Sequence, residues 1–290
     1  MVLSVSISKE ERQSFAGKRM AVIGAGKIGT ILLQALLREN LISREHVIAT
    51  VAHPERAAAL AKELKVSVTA NNLEAVQQAD IVLVCVKPVQ VAPVLEEVRP
   101  VARHDQVFIS VAASVPTSYM ERALMGDIPV VRSMPNTPAS AGCGMTAICK
   151  GSFATPEHLR LAQTMFNAVG KTVVVDEKHM DAITGLSASG PAFLYIILES
   201  LAEAGVKVGL PRDLATLLAA QTMLGSAKVA LETGHHPALL KDAVTTPAGC
   251  TIDGIMELEE GKLRVTLIKA VVKAAERAKE LVFGNDVHGD

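Results

Sequence analysis

The sequence predicts an α/β fold in which a doubly wound parallel sheet is followed by an all-helical domain. Short apolar segments typical of buried strands alternate with helical segments through the first 177 residues, and this alternation favours a parallel sheet. From residue 178 onward only helical patterns follow. We therefore expect a polar leader over residues 1–17, a sheet domain over 18–177 and a helical domain over 178–290.

Eight segments of the sheet domain have the length and composition of strands. The first is MAVI, which turns at glycines and passes into the amphipathic helical pattern TILLQALL. A further helix is predicted over about residues 156–169, between the last two strands. The remaining strand segments are, in order, VIATV, VSVTA, DIVLVCV, VFISVAA, VVRSM, GMTAI and KTVVV.

The helical domain contains one segment that is apolar around its whole circumference. Residues 192–198, AFLYIIL, are seven consecutive apolar residues. A helix of this kind has to be covered on every side, and about a hundred residues of helices cannot easily cover it alone. We favour a second copy of the chain as the cover, which predicts a homo-oligomer built from an intertwined dimer. Packing against the first domain is the alternative.

The composition excludes several classes of partner. A net charge of −1 and a pI near 6.7 give no basic footprint for nucleic acid or an anionic membrane. The sequence shows no signal peptide and no continuous apolar run of about 18 residues, so we expect a soluble cytoplasmic protein. Neither a metal site nor a disulfide framework is expected, because the cysteines form no CxxC pair and have no histidine at zinc spacing. The cysteines are Cys85, Cys143, Cys149 and Cys250.

The first predicted strand leads into GAGKIG, residues 24–29, which has the GxGxxG spacing of dinucleotide-binding loops. The first glycine permits a tight turn, the second lets the backbone approach a pyrophosphate, and the third allows close contact between helix and strand. The helix N-terminus receives the phosphate charge. The motif therefore predicts a Rossmann-type domain that binds a dinucleotide through Gly24, Ala25, Gly26, Lys27, Ile28 and Gly29.

The end of the second predicted strand indicates which dinucleotide is bound. NAD enzymes usually place Asp or Glu there, where the carboxylate accepts from the ribose hydroxyls. This chain reads VIATVAHPER, without an acid at the strand end, and His53 and Arg56 follow. A guanidinium can bind a 2′-phosphate with two hydrogen bonds, whereas a carboxylate would repel it. NADP(H) is therefore favoured, with NAD(H) possible; the alternative is that Arg56 only begins a solvated helix.

Further cofactor contacts are expected where other strands end, because ligands of open α/β sheets bind at the carboxyl ends of the strands. Lys87 follows one strand, and the small residues Ala112 and Ala113 follow another, where a dinucleotide must pass close to the backbone. Asn136 follows a third, where its amide could meet the nicotinamide carboxamide. Each position also has a purely structural interpretation. Lys87 would be a surface lysine, the two alanines a tight end of the sheet, and Asn136 part of a Pro-Asn turn.

Near the C-terminus an uncharged loop of small residues, TTPAGCT over residues 245–251, stands directly before a predicted helix. Backbone N–H groups at a helix start have no partner within the helix and point outward at the partly positive end of its dipole. Ala248 and Gly249 would leave those groups uncovered, and the three threonines of the loop add hydroxyl donors. The loop therefore predicts a site for a small anion; an ordinary threonine-capped helix start is the alternative.

Several segments together resemble the pyrroline-5-carboxylate reductase family, over nearly the whole chain from about residue 18 to residue 281. The resemblance implies reduction of the cyclic imine 1-pyrroline-5-carboxylate to L-proline by hydride from NAD(P)H, the last step of proline biosynthesis. It also implies a dinucleotide domain joined to a helical domain that interlocks with its twin. The segments are CVKP, RSMPNTPASAGCGMTAI, GLSASGPAFLYIILESLAEAGVKVGLPRDLA and LLKDAVTTPAGCTIDGIMELEEG.

The resemblance further implies roles for individual residues. The substrate carboxylate would rest on the amides of Gly249 and Cys250 and on the Thr246 hydroxyl, and the catalytic residue Thr251 would hydrogen-bond to the ring nitrogen. A threonine hydroxyl is far too weak an acid for general acid catalysis near pH 7, so we expect it to orient the substrate or relay a proton from water. Lys87 is also assigned to the substrate. Beyond the glycine loop, the implied cofactor contacts are Asn72, Val86, Lys87, Pro88, Ala112, Ala113 and Asn136.

Two positions depart from the family. Some relatives carry an amide side chain where this chain has Ala243 and an acid where it has Gly234, so any polar contact from those positions is missing here. These departures affect the finer details of binding rather than the reaction.

The sequence argues against two other functions. Dehydrogenases of the β-hydroxyacid type use a lysine on the first helix of the second domain as acid and base, but between Asp181 and Glu199 this chain has no Lys, Asp or Glu. An imine needs no such base because its nitrogen can be protonated from solvent, so the absence favours imine reduction. A non-catalytic NADP-binding regulator would be expected to lose loops such as TTPAGCT, and this chain keeps that loop.

Overall fold

The computed structural model describes residues 7–283 of the chain. The chain divides into two compact units, Met1–Ala188 together with Ala274–Asp290, and Ser189–Lys273. The described part of the first unit contains the sheet, and the described part of the second is helical, as the sequence predicts. The mixed fold therefore follows the predicted order, with the end of the last helix grouped with the sheet.

The units divide after Ala188, which is later than the predicted boundary at residues 177–178. The residues between these two points stay with the sheet because Glu177 and Asp181 bind the guanidinium of Arg132, which lies on a strand. These ion pairs join residues distant in sequence. The change to purely helical patterns at residue 178 therefore does not coincide with the end of the compact unit.

All eight predicted strands are present and form one sheet in the order β3-β2-β1-β4-β5-β6-β7-β8. The first six strands are parallel and have the order of a doubly wound dinucleotide-binding sheet. The strands are β1 (Met20–Ile23), β2 (Val47–Thr50), β3 (Ser67–Thr69), β4 (Ile81–Val84), β5 (Val107–Ser110), β6 (Val130–Met134), β7 (Gly144–Lys150) and β8 (Gly170–Val174).

The prediction of a parallel sheet is wrong at one place, since β7 runs antiparallel to β6. The connection between them contains only the 3-10 turn Thr137–Ala141, and a parallel neighbour would need a crossover of a dozen or more residues. Strand β8 is again parallel to β7, because a full helix connects them.

Helices follow most strands of the sheet unit, and the predicted helix over about 156–169 is confirmed. A π-helical turn, Thr184–Ala188, ends the first segment of the unit and was not predicted. It lies in a run of small residues, TGLSASG, that offers little side-chain bulk to fix a regular helix. The helices are α1 (Lys9–Gln13), α2 (Lys27–Arg38), α3 (Ala57–Leu64), α4 (Asn72–Gln77), α5 (Val91–Val98), α6 (Thr117–Leu124), α7 (Pro156–Asn167) and α8 (Met180–Ile183).

The sheet has an apolar core on each face, as a doubly wound fold requires. On β1, Met20 and Val22 belong to one core while Ala21 and Ile23 belong to the other. Helices α2, α3 and α7 contribute to the first core, and α4, α5 and α6 contribute to the second. Burial on both faces explains why these strands are continuous apolar runs rather than alternating ones.

The predicted polar leader is partly structured where it is described. Ser8 and Glu11 form a reciprocal capping box that starts α1. Ile7 and Phe15 flank this helix and are buried in the first core of the sheet. The leader therefore belongs to the sheet unit from residue 7 onward, and its first six residues lie outside the described part.

The second unit consists of helices, including one that was not predicted. Pro237 and His236 begin this short helix, with the His236 ring accepting from the amide of Ala238. Gly234 ends the preceding helix in the left-handed conformation, with φ of 64°. The helices are α9 (Gly190–Lys207), α10 (Arg212–Thr233), α11 (Pro237–Ala243), α12 (Cys250–Glu260) and α13 (Leu263–Phe283), whose last part belongs to the sheet unit.

The helical unit exposes large apolar side chains in the single chain. Tyr195 is 61% exposed and Leu217 is 65% exposed, and they have many apolar neighbours in sequence on α9 and α10. By length and composition alone, the stretches Glu177–Lys207 and Arg212–Thr233 could also cross a membrane, a criterion that core helices of soluble proteins meet too. A monomer in water would not expose so much apolar surface without a partner.

Candidate active site

The glycine turn after β1 is shaped by its contacts with the end of β4. Gly24 has φ of 81°, and a Cβ there would lie 2.8 Å from Val86 Cγ1. A Cβ on Gly29 would lie 2.9 Å from the carbonyl oxygen of Gly24 and 3.2 Å from Cys85 Cβ. The first and third glycines of the motif are therefore required by the fold itself, one for its backbone angle and both for close packing.

Gly26 differs from the other two glycines because the fold leaves space beside it. Its φ of −84° and ψ of −159° suit any residue, and the nearest atom to an added Cβ is the Gly24 carbonyl oxygen at 3.9 Å. Helix α2 begins at Lys27 without a side-chain cap, so its first N–H groups are left for another acceptor. An open glycine at an uncapped helix start fits the pyrophosphate of a dinucleotide.

Replacing Gly26 by alanine is expected to separate cofactor binding from stability. Because a Cβ fits the fold, the free energy of unfolding should stay the same or rise by up to about 1 kcal/mol. The added methyl would lie where the phosphate has to approach, so the dissociation constant for NADPH should rise by about tenfold or more. Gly24→Ala is the matched comparison and should lose stability because of its φ. Equal cofactor affinity in Gly26→Ala and the parent would contradict this placement.

The end of β2 carries the residues predicted to select NADP. His53 lies just before the 3-10 turn Pro54–Arg56, and Arg56 is the last residue of that turn. Both side chains are exposed. His53 Nδ1 lies 3.7 Å from Glu55 Oε1, whereas no ion pair or hydrogen bond engages the Arg56 side chain within the described residues. The Arg56 guanidinium is therefore available to an anion beside the second strand.

Asn72, predicted to contact the cofactor, is held by two neighbours in the structure. Its Oδ1 accepts from the Thr50 hydroxyl at 2.7 Å, and its Nδ2 donates to Glu97 Oε2 at 2.9 Å. The Thr50 oxygen in turn accepts from the amide of Gly24 at 3.2 Å. Sequence analysis did not single out Thr50 or Glu97, since only the folded sheet brings them to the glycine turn.

The ends of β4 and β5 supply the next predicted contacts. Val86 and Pro88 are half-buried, and the exposed Lys87 between them caps the 3-10 turn Pro88–Gln90. After β5, Ala112 is buried and Ala113 is half-buried. These residues lie at the carboxyl edge of neighbouring strands, as the sequence predicts.

Ser114, which follows these alanines, was not predicted. It has φ of 66° and is 5% exposed, and its hydroxyl has no partner within the described residues. A buried serine with positive φ and an unpaired hydroxyl is strained, and such strain is concentrated at functional sites. No sequence motif signals this position.

Asn136 is largely engaged by its own unit. Its Oδ1 accepts from the amide of Met145 at 2.9 Å, and its Nδ2 donates to the carbonyl of Ser187 at 3.2 Å, which lies in the π-helical turn. The side chain therefore fixes the start of β7 and the turn Thr184–Ala188. The predicted contact of this amide with the nicotinamide would therefore have to form alongside these two hydrogen bonds.

The small-residue loop before α12 has the helix start that was predicted, with one difference. The N-cap is Gly249, without a side-chain hydrogen bond, so the alternative of a threonine-capped start is wrong. However, the Gly249 N–H donates to the carbonyl of Thr246 at 3.0 Å and closes a turn in which Ala248 has φ of 59°. Of the two amides expected to bind the carboxylate, that of Cys250 is the one without an acceptor in the described residues.

Thr251 lies in the first turn of α12, and its side chain is exposed. Its hydroxyl has no hydrogen-bond partner in the part of the chain that the structure describes. The nearest lysine, Lys241, lies before the loop and pairs with Asp242, with 2.6 Å between Nζ and Oδ1. The loop thus offers neutral donors to an anion, with no free cation in its own sequence.

Two of the thiols are unsuited to chemistry near neutral pH. Burial raises the pKa of Cys85 to about 12. Burial, then the carboxylate of Glu177, raises the pKa of Cys149 to about 12. Both therefore stay protonated, and Cys85 serves as packing under the glycine turn. No group of three His, Cys, Asp or Glu residues could hold a metal ion anywhere in the described residues.

Comparison with known proteins identifies the family. The model for pyrroline-5-carboxylate reductase dimerisation matches residues 177–281, and the model for NADP oxidoreductase, coenzyme F420-dependent, matches residues 19–114. The pyrroline-5-carboxylate reductase of Methanosarcina acetivorans is 42% identical over 264 residues, which cover 91% of this chain and 98% of the relative. The chain belongs to the pyrroline-5-carboxylate reductase family.

Solved pyrroline-5-carboxylate reductases have the same fold. The Coxiella burnetii protein superposes with a TM-score of 0.84 at 33% identity, covering 91% of this chain and 98% of that one. The Plasmodium falciparum pyrroline carboxylate reductase, solved with NADP bound, gives 0.83 at 27% identity, covering 92% and 98%. The chain is accordingly an NAD(P)H-dependent oxidoreductase that reduces the C=N bond of 1-pyrroline-5-carboxylate to give L-proline. Its dimerisation region supports oligomer formation, which accounts for the exposed apolar helices.

Proposed function

We propose that this pyrroline-5-carboxylate reductase uses NADPH in preference to NADH and binds its substrate at the start of α12. The observation that carries the substrate site is the uncapped start of that helix, where neutral donors are exposed and no free cation lies in the loop. A small carboxylate is held there by oriented amides rather than by an ion pair. The same loop would hold a large or doubly charged anion less well.

Four residues of the loop have a part in this proposal. The amide of Cys250 and the hydroxyl of Thr246 donate to the substrate carboxylate, and Gly249 holds the turn that exposes them. Thr251 donates to the imine nitrogen and fixes the ring, while the proton that nitrogen gains comes from water. Lys87, at the end of β4, adds a positive charge for the substrate or the cofactor. When bound, the reduced nicotinamide supplies the hydride for the imine carbon.

The dinucleotide would lie along the carboxyl edge of the sheet. Its pyrophosphate meets the amides of Lys27 to Gly29 beside the open Gly26, and the small residues Ala112 and Ala113 allow it to pass close to the backbone. The preference for NADPH is supported by the Arg56 guanidinium, which has no ion pair within residues 7–283, and by the lack of an acid at the end of β2. Binding of NADP in the Plasmodium falciparum relative is consistent with this preference.

We also propose that the active enzyme is a cytoplasmic homo-oligomer of intertwined dimers, without a membrane or nucleic acid partner. Support comes from the apolar side chains that α9 and α10 leave exposed in one chain and from the dimerisation family that matches this region. A near-neutral net charge and four unpaired cysteines are consistent with that setting.

Arg56→Ala is expected to reduce the preference for NADPH. One charge-assisted contact to a 2′-phosphate is lost, so kcat/KM for NADPH should fall about tenfold while kcat/KM for NADH stays within about twofold. The measurement is steady-state oxidation of NADPH and of NADH with racemic 1-pyrroline-5-carboxylate. Arg160→Ala is the matched control, since Arg160 is also an exposed arginine, on α7.

The same assay tests the proposed preference and substrate. A parent enzyme with higher kcat/KM for NADH, or an equal fall for both cofactors in Arg56→Ala, would contradict the role of Arg56. Tight NADPH binding without turnover of 1-pyrroline-5-carboxylate would contradict the substrate and direct attention to other cyclic imines.

A further inference from the structure

A chain of three hydrogen bonds connects the solvent-facing side of helix α5 to the glycine turn. Glu97 Oε2 accepts from Asn72 Nδ2 at 2.9 Å, Asn72 Oδ1 accepts from Thr50 Oγ1 at 2.7 Å, and Thr50 Oγ1 accepts from the Gly24 amide at 3.2 Å. These residues come from α5, α4, β2 and the turn after β1. Glu97 is separated from Gly24 by two side chains and has no role in the reaction as described above.

The Glu97 carboxylate fixes the donor-to-acceptor direction of every hydrogen bond in this series. It can only accept when ionised, so it selects the orientation of Asn72 in which Nδ2 faces α5 and Oδ1 faces Thr50. Oδ1 can only accept, so the Thr50 hydroxyl must donate to it and direct a lone pair at the Gly24 N–H. With the amide reversed, Asn72 would oppose its oxygen to the carboxylate.

The chain of hydrogen bonds ends at a tight glycine turn in the proposed cofactor site. Gly24 has φ of 81°, and its carbonyl accepts from the Gly26 amide at 2.7 Å. The backbone of Thr50 holds the turn a second time, since its carbonyl accepts from the Ala25 amide at 2.7 Å. Thr50 is 2% exposed, so water does not replace a lost bond easily. The turn is thereby fixed before the cofactor arrives.

We propose that Glu97 is a positioning residue for the dinucleotide. Acting through Asn72 and Thr50, it holds the glycine turn in the conformation that receives the pyrophosphate, and so raises affinity for the cofactor without touching it. Preorganisation of this kind lowers the cost of ordering the loop on binding. The inference rests on dinucleotide binding at the turn, and it does not depend on which of NADPH or NADH is preferred.

Glu97→Met tests the proposal because it removes the acceptor and keeps the length of the side chain. The dissociation constants for NADPH and NADH should both rise, by about fivefold to tenfold, and KM for each cofactor should follow while kcat stays within about twofold. Glu97→Gln keeps an acceptor for Asn72 and should restore most of the affinity. Glu96→Met is the matched control, since it removes the same charge from the neighbouring exposed position of α5.

A double-mutant cycle with Thr50→Val distinguishes a connected chain from independent contacts. If Glu97 acts through Thr50, the double variant should bind NADPH no more weakly than Thr50→Val alone. Thr50→Ser retains the hydroxyl and provides the comparison should the valine variant fold poorly. Additive losses in the cycle, or equal affinities in Glu97→Met and Glu96→Met, would overturn the proposal, whichever cofactor the enzyme prefers.

Discussion

Replacing Thr251 by valine is expected to lower kcat for 1-pyrroline-5-carboxylate by about 10- to 100-fold. Valine keeps the branched shape and removes only the hydroxyl, which is exposed in the first turn of α12 and has no partner within the described residues. A positioned donor to a group whose charge changes in the transition state contributes about two orders of magnitude in mutational tests. The side chain is exposed, so the free energy of unfolding should change by less than about 0.5 kcal/mol.

The measurement is kcat and KM with saturating NADPH, together with direct titration of NADPH binding. Thr251→Ser should recover most of the rate, because the hydroxyl returns without the methyl group. Cofactor affinity should be unchanged in both variants. If valine raises KM for the substrate and leaves kcat near the parent value, the hydroxyl serves uniform binding rather than the transition state. A normal rate in Thr251→Val would remove this residue from the mechanism.

The sequence predicts the framework of the sheet unit because its signals are local. Strand-like segments identify all eight strands, and the GxGxxG spacing places the turn between β1 and α2. The antiparallel β7 was missed because direction depends on the length of a connection that contains only a short turn. The compact sheet unit extends past the predicted domain boundary because Arg132 binds Glu177 and Asp181, which follow that boundary or lie directly at it.

The candidate site was predictable in its positions and less so in its bonds. The end of β2 and the loop before α12 could be found from residue types alone. Sequence does not reveal that the Gly249 amide is used within its turn, or that Asn72 is held between Thr50 and Glu97. Such partners lie far apart in sequence, and only the folded sheet brings them within hydrogen-bond distance.

The buried charge network under β6 should determine much of the stability of the sheet unit. Arg132 is 4% exposed, and its guanidinium lies 3.2 Å from Glu177 Oε1 and 3.2 Å from Asp181 Oδ1. Glu177 also accepts from the Thr117 amide at 2.8 Å and from its hydroxyl at 2.6 Å, which holds the start of α6. The two carboxylates are about one-third exposed, so the arginine is the member whose charge depends on protein partners.

That asymmetry sets the order of stability among variants. Glu177→Gln with Asp181→Asn leaves a buried guanidinium without an anion and should lower the free energy of unfolding by about 3–5 kcal/mol. Arg132→Met leaves only carboxylates that water reaches, and should lose less, about 2 kcal/mol once solvent screening is allowed for. Adding Arg132→Met to the double variant should therefore recover stability, because no buried charge remains. Denaturant unfolding at one fixed protein concentration measures all three, since oligomerisation adds to apparent stability. If the triple variant is less stable than the double variant, the arginine stabilises the unit by packing rather than by charge.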